Sequence, residues 1–178
     1  MKLIPVDEVQ GAMVIETDRY TDDRGYFQEL FSSAREYPMS IEQANLSLSK
    51  ENTVRGLHVV PFAKLCTCAK GALFDVVADV RPDSPTYLGW YGVWLSEENH
   101  KQLYVPAGCA HGFFAAKTPT LLIYMQDSPY NPSVESEVNW QDPQLGIEWP
   151  PAVFAHAGED YVLSDKDKAA PFLEVPDE

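Results

Sequence analysis

The sequence has few cysteines and no long hydrophobic run, and these shortages exclude several classes of protein. Three cysteines occur in 178 residues, Cys66, Cys68 and Cys109. An odd number does not suit a disulfide framework, and the C-x-C pair has no second C-x-C or H-x-H nearby to complete a zinc site. No apolar run approaches the roughly 18 residues of a membrane span, and the first residues lack the core of a signal peptide. We therefore expect a cytoplasmic protein without membrane contact, with Cys66 and Cys68 as buried thiols on one face of a strand.

Positive charge is also scarce. The chain carries 27 acidic and 13 basic residues, which gives a formal net charge of −14. Such a charge repels polyanions at long range and argues against a nucleic-acid binder. A small anionic ligand would need a local basic pocket.

Long helical periods are missing as well, and short strands take their place. Apolar segments separated by turn residues cover 41–49, 64–69, 72–80, 89–95, 102–105 and 120–126. Strands at a spacing of roughly 8 to 12 residues predict an all-β sandwich, jelly roll or barrel. The length suits one domain over residues 1–178. Short helices are expected over 32–39 and after Ser164, where Asp165 and Asp167 would cap the first turn unless a carboxylate there orients a histidine.

The histidines are arranged in a way that disfavours a metal site. Jelly-roll proteins that hold iron or manganese often use two histidines spaced H-x-H, a carboxylate and a later histidine. Here His58 is followed by two valines, His111 stands alone in a predicted turn over 106–112, and His100 and His156 fall in predicted surface turns. No serine or cysteine sits in a nucleophile elbow. We expect a site that works without metal or cofactor.

The segment Val54-Arg55-Gly56-Leu57-His58 combines a cation, a backbone pivot and a titratable base. Arginine offers a rigid fork of donors that suits phosphate or carboxylate, and histidine exchanges protons near neutrality. A phosphorylated substrate and a proton transfer would use both. An isolated R-G-x-H is also compatible with a strand turn whose histidine only satisfies a neighbour's hydrogen bonds.

Residues 41–49 alternate, with Gln43, Asn45 and Ser47 on one face and leucines on the other. A row of amides on one face of a strand indicates either a wet interior or a plain surface face. The sequence leaves both open.

The chemically distinctive residues fall into short motifs that run in order along nearly the whole chain. These motifs are Asp23-Arg24-Gly25-Tyr26-Phe27 with Glu29, residues 43–47, Arg55-Gly56-Leu57-His58, Lys64-Leu65 with Cys68, Phe74-Asp75-Val76 with Asp79 and Arg81, Ser84-Pro85-Thr86, Ala110-His111-Gly112-Phe113, Gly146-Ile147 with Trp149-Pro150, and Leu163-Ser164 with Lys166-Asp167. Together they resemble the dTDP-4-dehydrorhamnose 3,5-epimerase family of nucleotide-sugar epimerases. The resemblance implies a cupin-type jelly roll without metal and a homodimer that exchanges strands at its ends.

The resemblance also implies roles for particular residues. His58 would be the catalytic base, Asp167 the carboxylate that orients it, Tyr124 the opposing acid, and Lys64 the group near the ketone oxygen. The chemistry fits, because removing the proton at C3 or C5 of a 4-keto sugar gives an enolate whose charge lies on the C4 oxygen. The implied substrate contacts are Arg24 and Arg55 at the phosphates and nucleotide, Gln43, Asn45 and His111 around the sugar, Tyr130 at the base, and Glu29.

Three departures from the family touch the edge of the sugar and nucleotide site. Val59-Val60 replaces an aromatic residue and a glutamine, the loop from His58 to Lys64 is several residues shorter, and Cys66-Thr67-Cys68 lacks the family's arginine. Two alternatives to a 3,5-epimerase therefore stay open. The protein could invert one centre or use another nucleotide sugar, such as a GDP-linked 4-keto heptose, or it could be a binding module without turnover, which would have no need of the three catalytic groups together.

Overall fold

The computed structural model describes residues 1–152 and 161–174. In chain order the strands are β1 (Lys2–Pro5), β2 (Met13–Glu16), β3 (Arg19–Asp22), β4 (Gly25–Gln28), β5 (Gln43–Ser49), β6 (Val54–Val59), β7 (Lys64–Lys70), β8 (Ala72–Ala78), β9 (Trp90–Ser96), β10 (Lys101–Val105), β11 (Ala110–Ala115), β12 (Thr120–Gln126) and β13 (Ser136–Glu137). A 3-10 turn covers Pro132–Val134, and the helix α1 covers Asp165–Lys168. No helix within these residues is long and apolar enough to cross a membrane.

The strands form two sheets and a separate hairpin. One sheet has the order β1-β2-β10-β7-β12-β5, the other has the order β13-β6-β11-β8-β9, and β3 and β4 pair with each other. All pairings within them are antiparallel. This is the cupin-type jelly roll, and it confirms the all-β prediction.

The core between the sheets explains why the central strands are buried. Small and branched side chains from β7, β8, β10 and β11 meet there, among them Cys66, Leu73, Leu103 and Phe113. All three cysteines are buried and free, which confirms the prediction of buried thiols at Cys66 and Cys68. Burial raises the pKa of the Cys68 and Cys109 thiols to about 12.

The outer face of the six-stranded sheet is covered by residues 30–41. The prediction of a helix over 32–39 was wrong, because the chain there turns twice, with Arg35 N–H donating to Ser32 O at 3.0 Å. Phe31, Tyr37 and Met39 instead pack around Leu65 on the back of β7. Contact with the sheet therefore outweighs the weak local helical pattern.

The outer face of the five-stranded sheet is covered by the segment after β13. Trp140, Trp149 and Tyr161 pack over Phe114 and Val54, which confirms that this aromatic stretch lies on the sheet; Phe154 and His156 lie outside the described residues. Backbone N–H of Val54 donates to Val162 O at 2.9 Å. This contact brings α1 alongside β6.

Candidate active site

His58 is placed by a close approach of β6 and β11. Gly56 has φ +118°, and a Cβ on it would lie 2.6 Å from the Cα of Gly112. Only glycine adopts such a conformation readily and permits such a contact. The register of the two strands shifts just after His111, which pairs with His58. His111 thus lies on a strand, whereas the sequence predicted a turn for it, and both histidines face one cavity.

Asp167 holds the imidazole of His58. Its Oδ1 lies 2.9 Å from His58 Nε2, and its Oδ2 accepts a 2.8 Å hydrogen bond from Ser164 Oγ. Ser164 also caps α1, since its Oγ accepts from Asp167 N–H at 3.1 Å. Burial alone would raise the pKa of Asp167, but the hydrogen bonds from His58 and Ser164 outweigh it and lower that pKa. An ionised carboxylate only accepts, so the ring proton lies on Nε2 and the lone pair on Nδ1.

The cavity has a volume of about 170 Å³ and lies between the two sheets. His58 and His111 come from the five-stranded sheet, whereas Lys64 and Tyr124 come from the six-stranded one. His58 and Tyr124 therefore stand on opposite walls. The lining consists of Ser47, Arg55, His58, Val60, Phe62, Lys64, His111, Gly112, Phe113, Leu122, Tyr124, Gln126, Tyr130 and Glu135.

Burial shifts the pKa values of Lys64 and Tyr124 in opposite directions. Burial lowers the pKa of Lys64, which is 8% exposed, although the negative charges of Glu135 and Asp75 oppose this. Burial raises the pKa of Tyr124, and the negative charge of Glu135 adds to the effect. The phenol therefore keeps its proton at neutral pH and can act as an acid.

The amide face of β5 lies inside the molecule, which decides between the two interpretations of that strand. Gln43 and Asn45 line a cleft next to the cavity together with His58, Tyr124 and Lys166. Gln43 donates to Asn45 Oδ1 at 2.7 Å. The row of amides therefore faces a polar interior.

Arg55 and Tyr130 stand at the mouth of the cavity. Arg55 donates to Ser49 Oγ at 3.1 Å and to Leu48 O at 3.2 Å, which fixes its guanidinium. The ring of Tyr130 is 51% exposed, and its backbone N–H donates to Gln43 Oε1 at 2.8 Å. Both residues lie where an extended anionic ligand would leave the cavity.

Arg24 and Glu29 lie away from this cavity. Arg24 sits on the turn of the β3–β4 hairpin, where its side chain is 91% exposed and pairs with Asp22 at 2.6 Å. Glu29 pairs with Arg35 at 2.5 Å. Within one chain neither residue meets His58, and their roles stay predictions.

The site also contains two acidic residues for which the sequence predicted no role. Glu135 Oε1 lies 3.6 Å from His58 Nδ1, and its Oε2 accepts from Tyr130 Oη at 2.9 Å and from Lys166 Nζ at 3.0 Å. Asp75 Oδ1 lies 2.9 Å from His111 Nε2. A lone charge in the apolar run of β8 could have indicated Asp75, whereas Glu135 follows an exposed turn and carries no such signal.

The chain is similar to proteins of one family throughout. The family model described as dTDP-4-dehydrorhamnose 3,5-epimerase matches residues 7–175. A dTDP-4-dehydrorhamnose 3,5-epimerase from Sinorhizobium fredii is 43% identical over 173 residues, which cover 92% of this chain and 86% of that protein. A dTDP-4-dehydrorhamnose 3-epimerase from Streptomyces niveus is 38% identical over 159 residues, covering 84% of this chain and 76% of that protein.

A solved structure has the same fold over almost the whole chain. The dTDP-6-deoxy-D-glucose-3,5-epimerase from Legionella pneumophila, in complex with dTDP-4-keto-L-rhamnose, superimposes with a TM-score of 0.88 at 35% identity. The match covers 99% of this chain and 94% of that one.

Proposed function

The chain belongs to the dTDP-4-dehydrorhamnose 3,5-epimerase family, and we propose that it inverts C3, C5 or both in a dTDP-linked 4-keto-6-deoxy sugar. The observation that carries this proposal is the His58–Asp167 pair opposite Tyr124 in one cavity. A base and an acid on opposite walls are what inversion of a carbon centre requires.

In the proposed reaction, His58 Nδ1 removes the proton next to the C4 ketone. The positive charge that develops on the ring is stabilised by Asp167 at Nε2 and by Glu135 near Nδ1. The electrons of the broken C–H bond move onto the C4 oxygen and form an enolate. Tyr124 then gives its proton to the opposite face of the same carbon, which inverts the centre.

Lys64 supports the enolate. Its ammonium would donate to the C4 oxygen, where negative charge develops only as the proton leaves. Removing a donor of this kind costs about 10²- to 10³-fold in rate in other enzymes. The low exposure of Lys64 excludes water that would otherwise screen this interaction.

The nucleotide end of the substrate would lie along the mouth of the cavity. Arg55 is placed to meet a phosphate, and Tyr130 offers an exposed ring for the thymine. Gln43, Asn45 and His111 would contact the sugar. These cations and donors form the local basic pocket that an anion needs in a chain with a net charge of −14.

Inversion of a single centre is the second candidate. Val60 and Phe62, from the shortened loop, line the cavity, so the departures from the family reach the wall that surrounds the sugar. The Streptomyces niveus relative is named as a 3-epimerase. A binding module without turnover would have no need of the His58–Asp167 pair, and a GDP-linked substrate has no specific observation in its favour.

We also propose that the protein works as a homodimer. Within the part of the chain that the structure describes, the β3–β4 hairpin pairs with no other strand, and isolated two-stranded hairpins are marginal in water. It exposes Tyr20, Tyr26 and Phe27 at 59%, 55% and 68%, and the β5 edge exposes Leu46 at 66%. A second copy would cover these side chains, and the hairpin would bring Arg24 and Glu29 to the partner's cavity.

The test is proton exchange in deuterated water with a dTDP-linked 4-keto-6-deoxy sugar, followed by NMR. We expect deuterium at C3, C5 or both with wild-type protein, and none with His58→Asn, because asparagine keeps a hydrogen bond but cannot take a proton. Substrate binding should stay within about tenfold. The control is His100→Asn, since His100 lies outside the cavity and bonds Thr17 O. Wild-type exchange that persists in His58→Asn would move the base elsewhere, and binding without exchange in wild type would favour the binding module.

A further inference from the structure

A second cluster of chemically active groups, apart from the acid and the base, lies behind the cavity wall at His111. Cys66 and Asp75 are 0% exposed and His111 is 7% exposed. Cys66 Sγ lies 3.5 Å from His111 Nε2, which lies 2.9 Å from Asp75 Oδ1. One potential ligand atom from each of the three lies within 4.8 Å of the others.

The three residues come from β7, β8 and β11, so the cluster spans both sheets. Strands of a packed core hold side chains in fixed rotamers, which keeps the three groups together. The cluster is therefore a preformed set of a sulfur, a nitrogen and a carboxylate oxygen.

Asp75 supplies an independent observation. Its Oδ2 is buried and has no hydrogen-bond partner among the described residues. A buried acceptor without a partner destabilises the folded state, and more so when it is charged. A cation next to the carboxylate would remove that destabilisation.

We propose that Cys66, Asp75 and His111 form a binding site for a thiophilic divalent cation such as Zn²⁺, with a fourth coordination position open to the cavity. Tetrahedral zinc with Zn–S of about 2.3 Å and Zn–N of about 2.05 Å places the sulfur and the nitrogen about 3.6 Å apart. The observed separation of 3.5 Å matches this value. The nitrogen and the oxygen would have to move apart from 2.9 Å to about 3.4 Å.

The charges of the set suit a divalent ion. The thiolate and the carboxylate together carry two negative charges, and binding would release the proton of the Cys66 thiol. Zinc would also replace the proton that His111 Nε2 shares with Asp75, and the imidazole proton would move to Nδ1. Binding of one metal ion therefore releases one proton.

A bound cation would inhibit the proposed epimerisation. Lys64 shares its face of β7 with Cys66, two residues away, so zinc would repel the ammonium that supports the enolate. His111 would also be withdrawn from the sugar. This consequence rests on the proposed function, whereas cation binding itself does not. The protein should therefore keep its activity in a chelator, as the sequence predicts, and lose activity in zinc.

Metal binding is tested first, on protein stripped with a chelator. Equilibrium dialysis should give one Zn²⁺ per chain, and Co²⁺ should give the absorption of a tetrahedral thiolate complex. Cys66→Ser should weaken Zn²⁺ binding by about 100-fold or more and remove the thiolate band, and Asp75→Asn should weaken binding as well. Cys109→Ser is the matched control, because Cys109 is also buried and lies near Arg81 and Asp79.

The proposal is overturned if the stripped protein binds no Zn²⁺, or if folded Cys66→Ser, checked by circular dichroism, binds it as tightly as Cys109→Ser does. If Cys66→Ser does not fold, Cys66→Ala and Asp75→Asn replace it in the same comparison. The activity measurement compares each variant with its own rate without metal. Zinc should slow exchange in wild type and not in Cys66→Ser, and binding without inhibition would refute the predicted effect of zinc on Lys64 and His111. A site that binds zinc in a protein without any turnover would refute the proposed function alone.

Discussion

At the scale of single residues, the site is built from groups whose protonation is set by burial and by one or two neighbours. The Asp167 carboxylate stays ionised because His58 and Ser164 donate to it. The Glu135 carboxylate has a similar environment. Burial opposes its ionisation, but the hydrogen bonds from Lys166 and Tyr130 lower its pKa. His58 thus lies between the carboxylates of Asp167 and Glu135.

Tyr124→Phe should separate proton removal from inversion. The variant keeps His58, so deuterium should still enter the carbon, whereas net inversion should fall by about 10²- to 10⁴-fold because the opposite face has no acid. NMR of the sugar measures both. Tyr104→Phe is the control, since burial raises the pKa of that phenol too, but Tyr104 does not line the cavity. Loss of exchange together with inversion would contradict the assignment of Tyr124 as the acid only.

The pH dependence should report on Lys64. Burial lowers its pKa, and only the ammonium can donate to the enolate, so activity should fall as pH rises through a value below the usual lysine pKa of about 10.4. Tyr124, whose pKa is raised, should keep its proton over that range. Lys64→Met should be about 10²- to 10³-fold slower in kcat/KM and should lack this alkaline decline. If the activity of Lys64→Met still falls at alkaline pH as in wild type, another group causes that fall.

At the scale of elements, the turns and the outer coverings decide where the catalytic groups stand. Trp140, Trp149 and Tyr161 pack on the five-stranded sheet, and α1 presents Asp167 to β6. The turn between β8 and β9 is held together by a buried carboxylate, as α1 is held to β6 by Asp167. Asp79, which is 0% exposed, accepts hydrogen bonds from Arg81, Ser84 and Thr86.

Asp79→Asn should destabilise the protein by about 3–5 kcal/mol, because Arg81 would lose a buried charge partner. Burial alone would raise the pKa of Asp79, but the hydrogen bonds to Arg81, Ser84 and Thr86 hold it well below its usual range. A lowered pKa stabilises the fold above the unfolded value of about 3.9, and this contribution is lost as pH falls.

Urea unfolding at several pH values measures this effect. The free energy of unfolding should fall less steeply below about pH 4 in Asp79→Asn than in wild type. Asp83→Asn, an exposed carboxylate in the same turn, is the control. If the free energy of unfolding falls equally steeply with decreasing pH in all three proteins, Asp79 is not the source of the loss of stability in acid.

At the scale of the whole molecule, the proposed dimer predicts complementation between defective chains. If Arg24 acts in the partner's cavity, Arg24→Ala and His58→Asn homodimers should both be impaired. Refolded together at equal amounts, they should recover about a quarter of the wild-type sites, since half of the dimers are mixed and each has one complete site. Sedimentation should give a dimer at micromolar concentration. A monomer, or a mixture no more active than its components, would contradict the exchange of hairpins.

The sequence alone determined the all-β architecture, and its resemblance to the family named the two partners of the proposed proton transfer. Alternation at period two and regular turns are local signals, so the strands at 43–49, 64–70 and 120–126 were predicted within a few residues of their observed ends. His58, Tyr124 and Lys64 were named through the resemblance to the family, since nothing in their spacing brings them together.

Tertiary structure decided what depends on contacts between distant segments. Residues 32–39 follow a weak helical pattern but pack as irregular chain, because the back of β7 needs apolar cover. The sequence left Asp167 open between capping α1 and orienting a histidine. In the structure Ser164 is the cap, and the Asp167 carboxylate contacts both Ser164 and His58. Glu135 and the Cys66–Asp75–His111 cluster emerged only when the two sheets were stacked. Side chains far apart in the chain acquire their chemistry from the neighbours that packing gives them, and local sequence does not encode those neighbours.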